Sequence, residues 1–282
     1  MDKNFNGCVS VITGAASGIG RELAVVLARD RCTLVLSDIN REGLEKTLEL
    51  VEKAGGAGEV YICDVSDFDK VMGMADHCFS RWGRVDILIN NAGVACTGVT
   101  GILPMEDWKW LFSINFWGVI HGCHAFIPRM KKQNRGHILN VASIAGIISS
   151  PEMGPYNTSK AAVISLSETL RSELAPVNIG VSVLCPSHIK TKLLDNMRYT
   201  DEDQRIIANT GFDHARITAA KAAEITVAAM KKNKLYIIPQ GPAKAVWLWK
   251  RFAPALFFAC MSRLTCATWG KKAMLQLNRM GF

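Results

Sequence analysis

The chain has 282 residues, 49% of them hydrophobic and 21% charged, a composition that fits a globular protein with a large core and excludes a disordered or fibrous one. Its net charge of +8 is unevenly placed. The last acidic residue is Glu224 and ten Lys and Arg follow it, so the final 58 residues carry +10. The basic balance is therefore a property of the tail, and it does not mark the whole chain as a nucleic-acid binder.

The elements alternate along the chain. Cys8 to Thr13 reads as a short strand running into glycines, and Gly18 to Arg29 has helical spacing of apolar residues. Thr33 to Ser37 reads as the second strand and Arg41 to Lys53 as the next helix. Val60 to Cys63, Ile87 to Ile89, His137 to Val141 and Val181 to Leu184 are further apolar or β-branched runs bounded by turn residues. Long helical segments span Trp108 to Lys132 and Pro155 to Pro176. Strands alternating with helices predict an α/β fold, a doubly wound (Rossmann-type) parallel sheet with helices on both faces, plus a C-terminal helical extension. The predicted division is a catalytic domain over residues 1–238 and a basic, aromatic-rich extension over 239–282. In such sheets the ligand sits at the carboxyl ends of the strands.

Nine cysteines are scattered without a Cys-x-x-Cys pair, and several, such as Cys32, lie in runs that read as buried strands. Cysteine used as a small apolar residue suggests a reducing compartment. The N-terminus passes from Met1-Asp2-Lys3 directly into a strand and glycines, so no secretory signal is expected and the cytoplasm is the expected location.

Thr13-Gly14-Ala15-Ala16-Ser17-Gly18-Ile19-Gly20 joins the first strand to the first helix. Glycines there let a pyrophosphate approach the helix N-terminus, where free N–H groups and the helix dipole favour an anion. A tight β–α connection alone would also use glycines. Asp38, eighteen residues after Gly20 at the end of the second strand, adds a carboxylate suited to the hydroxyls of an adenosine ribose. It would repel the 2′-phosphate of NADP, and Ser17 rather than a basic residue precedes Gly18, so NAD is the expected cofactor. Capping of the following helix is the alternative use of Asp38.

These residues resemble the short-chain dehydrogenase/reductase family in its single-domain form. The resemblance runs from about Asn6 to Ile238 on motifs in order: Thr13 to Gly20, Asp64-Val65, Asn90-Asn91-Ala92-Gly93, Asn115, Ser143 and Tyr156-x-x-x-Lys160. Tyr156 and Lys160, four apart on a helix, share a face. A nearby ammonium and a positively charged nicotinamide would both favour the phenolate, lowering a pKa that is ordinarily near ~10. Tyr156 is thus the expected proton-transfer residue, and Ser143 the group that orients the substrate oxygen. The resemblance further implies that Lys160 holds the nicotinamide ribose and that Asn115 anchors a proton-relay water. It implies cofactor contacts from Thr13, Gly14, Ser17, Gly18, Ile19, Gly20, Asp64, Val65, Asn91, Ala92 and Gly93, with Ile189 and Thr191 beside the nicotinamide. Ser187 stands where the family usually has glycine, which puts the conformation of that loop in doubt. His121 and His124 read as packing residues rather than metal ligands, and Asn157-Thr158-Ser159 is discounted as a glycosylation acceptor because it lies inside the Tyr156 motif.

The expected substrate walls include Val94, Ile144, Ile147, Ile148, Met153, Leu193, Leu194, Met197 and Phe212, an apolar set that leans toward a lipophilic alcohol or ketone. The tail carries Trp247, Trp249, Phe252, Leu256, Phe257, Phe258 and Trp269 among basic residues. Its longest uncharged run, Phe252 to Ser262, is eleven residues and too short to span a bilayer. Two uses stay open: a segment lying on an anionic lipid surface, or a helix packed on the domain or a neighbouring subunit.

The expectation is an NAD-dependent oxidoreductase of a secondary, lipophilic alcohol or ketone, assembled as a homodimer or homotetramer. The alternatives are an NAD(P)H-dependent reductase of a 3-oxoacyl thioester and a non-catalytic NAD-binding, membrane-associated interaction protein.

Overall fold

The structure, a computed structural model, describes residues 5–266. Trp269 and the basic residues beyond it lie outside the described residues. In chain order the elements are β1 (Val9–Thr13), α1 (Gly18–Arg29), β2 (Thr33–Asp38), α2 (Arg41–Lys53), β3 (Ala57–Ile62), α3 (Phe68–Trp82), β4 (Ile87–Asn90) and the two-residue β5 (Cys96–Thr97). Next come α4 (Met105–Phe112), a π-helical turn (Ser113–Trp117), α5 (Gly118–Gln133), β6 (Gly136–Val141), α6 (Ala145–Ile148) and α7 (Gly154–Glu173). The chain continues through a 3₁₀ turn (Ala175–Val177), β7 (Ile179–Leu184), a second 3₁₀ turn (Lys192–Leu194), β8 (Arg198–Tyr199), α8 (Glu202–Asp213), α9 (Ala219–Lys231), β9 (Tyr236–Ile237), α10 (Gly241–Phe252) and α11 (Pro254–Cys266).

Seven strands form one parallel sheet in the order β3-β2-β1-β4-β6-β7-β9. Strand side chains alternate between faces, and the core divides accordingly. Val11, Val35, Leu88, Ile138 and Val181 point into a cluster with Val71 and Met74 of α3, Phe126 of α5 and Val163 of α7. Ile12, Leu34, Leu36, Ile89 and Leu139 point the other way, onto Leu23 and Leu27 of α1, Leu44 of α2 and Val227 of α9. Each such side chain contributes about 1.5–3 kcal/mol when fully buried, and burial on both faces is why the strands read as continuous apolar runs. The doubly wound sheet is therefore as expected. The strand order reverses between β1 and β4, the place where sheets of this kind receive ligands at their carboxyl edge.

Several boundaries differ from the sequence reading. β3 starts at Ala57, three residues before the apolar run at Val60. The helix expected from Trp108 to Lys132 starts at Met105, ends at Gln133 and is interrupted by the π-helical turn. The seventh strand, β9, is only two residues long and owes its place to pairing with Val183 and Leu184.

The amino edge of the sheet is locked by Asp86, a buried carboxylate that accepts from the Val9 amide at 2.9 Å and pairs with Arg135 at 2.6 Å and Arg84 at 3.1 Å. Its backbone also bridges β1 and β6, through Asp86 N–H to Val9 O and His137 N–H to Asp86 O. Asp86→Ala leaves the Val9 amide buried without that acceptor and strips two cations of their partner. The expected outcome is a loss of about 3 kcal/mol in unfolding free energy, read as a lower urea midpoint at unchanged slope.

Candidate functional site

The carboxyl edge gathers the motif residues. Thr13 ends β1, Asp38 ends β2, Asp64 and Val65 follow β3, Asn91 to Gly93 follow β4, Ser143 follows β6, and Ile189 and Thr191 follow β7. Because the strands are parallel, residues far apart in sequence arrive at one rim.

The glycine turn is built by close backbone approach. A Cβ on Gly20 would sit 2.3 Å from Gly14 O and 2.5 Å from Asn91 Nδ2, so only glycine fits. Asn91 Nδ2 donates to both Thr13 O and Gly14 O at 2.9 Å, while Thr13 Oγ1 accepts from the Asn91 amide at 3.0 Å and the Ala92 amide at 3.2 Å. Asn91 thus holds the turn through its side chain, and its neighbour Ala92 lies against the same turn. The Ser17 side chain makes no capping bond at the start of α1, which leaves the amides of Gly18, Ile19 and Gly20 turned outward as an anion-binding helix end requires. Asp38 Oδ2 accepts from the Ala16 amide at 3.2 Å and Oδ1 from the Asn40 amide at 3.0 Å. The cap of α2 is Asn40, through Gly43 N–H at 2.9 Å, so Asp38 is not the capping residue. Half-buried beside the glycine turn, its carboxylate lies where a ribose hydroxyl could reach it. Asp64 accepts from Ser66, and buried Val65 packs under Gly118.

Two further segments close over this turn. Thr191 caps the 3₁₀ turn that follows it and touches Gly18, where a Cβ would be 3.1 Å from it; Ile189 is buried. Ser187 has an ordinary negative φ, since it is absent from the positive-φ residues, so this position needs no glycine here. Its amide donates to Gln240 Oε1 at 3.1 Å, and Gln240 Nε2 donates to His188 O at 3.4 Å.

Ser143, Tyr156, Lys160 and Asn115 converge. Lys160 is 4% exposed and donates from Nζ to Val141 O at 3.0 Å. A Cβ on Gly93 would meet Asn115 Oδ1 at 3.1 Å and Lys160 Nζ at 3.4 Å, so the β4 loop lies directly against both. Asn115, fully buried inside the π-helical turn, bonds Val94 twice, its Oδ1 accepting from Val94 N–H at 2.8 Å and its Nδ2 donating to Val94 O at 2.9 Å. Such turns are frequent at functional sites; this one turns Asn115 inward without ending the helix. Ser143 Oγ accepts from the Ala145 amide at 3.1 Å and donates to Pro186 O at 3.4 Å.

Burial raises the Tyr156 phenol above its ordinary pKa, and a hydrogen bond with Ser143 pulls it partly back. The lowering expected from the Lys160 ammonium is therefore not found in the protein chain alone: desolvation wins. Burial also depresses Lys160 from 10.5 to about 8, opposed by its electrostatic interaction with Cys185. Such a lysine moves between charged and neutral forms near neutral pH, which suits proton traffic.

Of the expected substrate walls, Val94, Met153, Leu193, Leu194 and Met197 cluster with Tyr156, joined by Cys96, Leu103 and Leu111. Ile144 and Ile147 belong instead to the core on the α5 and α7 face, because α6 turns that side of its single short helix inward. Phe212 packs edge-on to His188. His121 and His124 both pack against Phe68, and His121 Nδ1 lies 2.9 Å from Val65 O. Sequence reasoning missed Gln240, buried at the start of α10 and holding the β7 loop; the Gly241-Pro242 pair after it was the available signal of a helix start.

A parallel seven-stranded sheet with a glycine turn on β1 and a Ser-Tyr-Lys group at the same rim defines a dinucleotide-dependent oxidoreductase of the α/β class. Residues 8–202 match the family model described as short chain dehydrogenase. An oxidoreductase by name from Mycobacterium tuberculosis, SadH, is 36% identical over 248 residues, spanning 86% of this chain and 90% of that protein. The 3-oxoacyl-[acyl-carrier-protein] reductase FabG of Thermotoga maritima is 34% identical over 193 residues, spanning 68% and 78%. A short chain dehydrogenase/reductase from Burkholderia phymatum, solved in complex with NAD, superposes with a TM-score of 0.85 at 33% identity, covering 90% of this chain and 96% of the other. The chain belongs to the short chain dehydrogenase family, oxidoreductases that bind a nicotinamide cofactor.

The lysine carries a pH signature. Between pH 8 and 10.5 the unfolded chain holds a proton on Lys160 that the folded chain has released, so this group adds stability as pH rises through that window. The buried thiols, raised to 11 or 12, act oppositely, so the readout is a difference. The unfolding free energy of wild type relative to Lys160→Met should increase from pH 8 to 10.5; a difference flat across that range would reject a depressed Lys160.

Proposed function

We propose that the protein is an NAD-dependent dehydrogenase/reductase that interconverts a secondary, lipophilic alcohol and its ketone, with Tyr156 as the proton-transfer residue. The observation that carries this reading is the grouping of a buried Tyr156 phenol, the Ser143 hydroxyl and a pKa-depressed Lys160 beside the glycine turn. The residues fit a dinucleotide: uncapped amides open α1, the Asp38 carboxylate stands at the end of β2, and Gly93 leaves room beside Lys160. On this reading Thr13 to Gly20 hold the pyrophosphate, Asp38 the adenosine ribose, and Asp64 and Val65 the adenine. Asn91 to Gly93, Ile189 and Thr191 flank the nicotinamide. The bound cofactor supplies or accepts the hydride.

Tyr156 takes the hydroxyl proton during oxidation and returns it to the ketone oxygen during reduction. Ser143 donates to that oxygen and fixes its position, a role open to a hydroxyl already within hydrogen-bonding reach of Tyr156. Lys160 favours the phenolate when charged, and it passes protons onward by giving up its ammonium proton and taking another in its neutral form, an exchange supported by its pKa of about 8. Asn115 anchors the water through which they pass. The apolar cluster around Tyr156 supports a lipophilic substrate.

The same reading assigns catalysis to residues 1–238 and treats 239–282 as an extension. The eight cysteines with described side chains are free and seven of them buried, in keeping with a reducing compartment such as the cytoplasm. The long α5 and α7 helices are available for assembly as a homodimer or homotetramer. The acyl-thioester reductase reading is favoured by the likeness to FabG and opposed by Asp38, which disfavours NADP.

Tyr156→Phe removes the transferable proton and keeps the ring. Oxidation of secondary alcohols, from short to steroid-sized, should fall about a thousandfold while NADH still binds by fluorescence. Full turnover by Tyr156→Phe would reject the assignment, and NADH binding by a wild type that turns over no alcohol or ketone would favour an interaction protein. Asp38→Ser should cut the preference for NAD over NADP, as the ratio of kcat/KM values, by about tenfold or more; an unchanged ratio would remove Asp38 from cofactor choice.

A further inference from the structure

The extension begins as part of the domain. Gln240 holds the β7 loop, α10 packs on α6, and Lys250 Nζ donates to Ile147 O at the end of the segment that starts with Ser143. The chain turns at Ala253, whose backbone leaves the helical region at φ −139°, ψ 63°. Phe257 is then buried edge-on against Trp249, 5.1 Å between ring centres, so the two helices are fixed to each other. What they present outward is not polar. Leu248, Trp249 and Phe252 follow helical spacing on one exposed face of α10, and Leu256 is exposed just past the turn on α11; Phe252 is 82% exposed and Leu256 58%, whereas the Phe258 ring lies toward Lys250, 5.0 Å from ring centre to Nζ. Exposed Lys244, Arg251 and Arg263 border this face, and no acidic residue lies anywhere after Glu224.

We infer that the outer face of α10 and α11 is a docking surface for an anionic lipid bilayer. Large apolar side chains gathered on one exposed helix face mark a contact surface, and aromatic residues with flanking bases suit the headgroup boundary. A second copy is the less fitting occupant, because a two-fold contact sets a surface against itself and here would bring basic rims together without acids to pair them. No described helix is long and apolar enough to cross a membrane, so the contact is peripheral. The inference does not depend on catalysis; under the lipophilic-substrate reading it also puts the Ser143 side of the site, through Lys250 and α6, next to the lipid that would carry the substrate.

Removing the whole extension would also remove Gln240 and Lys250 from the site, so point variants are the test. The full chain is sedimented with phosphatidylcholine vesicles and with mixed phosphatidylcholine and phosphatidylglycerol vesicles. Wild type should pellet with the anionic vesicles at least about tenfold better than with the neutral ones. Phe252→Ser/Leu256→Ser and, separately, Lys244→Glu/Arg251→Glu should each lower that partition about tenfold, at unchanged melting temperature and NADH binding. Wild type left in the supernatant, or variants that pellet like wild type, overturns the proposal. So does an oligomer that dissociates in Phe252→Ser/Leu256→Ser without any vesicle binding, which would give the face to a second copy.

Discussion

A lysine ammonium is costly to bury without an anion beside it, and Lys160 has no carboxylate partner among the described residues. Among the described residues its one direct hydrogen bond goes to the Val141 carbonyl at the end of β6. That bond fixes Lys160 at the sheet rim, and the neighbouring groups are arranged around it. Gly93 is small because a Cβ there would crowd Asn115 Oδ1 at 3.1 Å beside Nζ, and Gly146 is small because α6 lies against the Lys160 backbone, where a Cβ would come within 2.6 Å. The energetic tension is resolved by a pKa near 8, so the folded protein carries at its centre a group ready to gain or lose a proton.

The same desolvation acts in the opposite sense on Tyr156, whose charged form is the deprotonated one. Both residues are thereby pushed toward neutrality in the protein alone. A charged ligand against this site would shift the balance for both, since a positive ring favours phenolate and phosphates favour ammonium. The site is in this sense incomplete as protein and sensitive to any charged ligand placed against it. Coupling of proton affinity to ligand binding follows from burial rather than from any extra device.

Much of this was legible in the sequence because it depends on local spacing. Buried strands appear as apolar runs, the turn needs glycines at fixed offsets, and Tyr156 and Lys160 share a helix face. What was not legible depends on what packs against what. The π-helical turn at Asn115 has no local signature, since it is set by the two bonds to Val94. β9 is too short to carry a pattern and exists through its register with β7. The upward shift of Tyr156 reflects how deeply the ring is enclosed, a property of the assembled cluster, whereas the sequence displayed only a lysine one turn away. Ile147 looked like a substrate contact by proximity to Ser143, yet the orientation of one helical turn sends it into the core.

The tail illustrates the same division. Composition revealed a basic, aromatic segment and left open whether it packs on the domain or lies on a surface, as though these excluded one another. The fold separates the two roles by residue. Gln240, Lys250 and Phe257 face inward and hold the β7 loop, α6 and the helix pair, while the side chains one or two positions away face out. A helix has two sides, and a segment rigidly fixed by one of them can offer the other without ordering cost when it meets a partner. Because the inward side touches the segments that carry Ser143 and Ser187, whatever engages the outward side acts on elements only one link removed from those two residues.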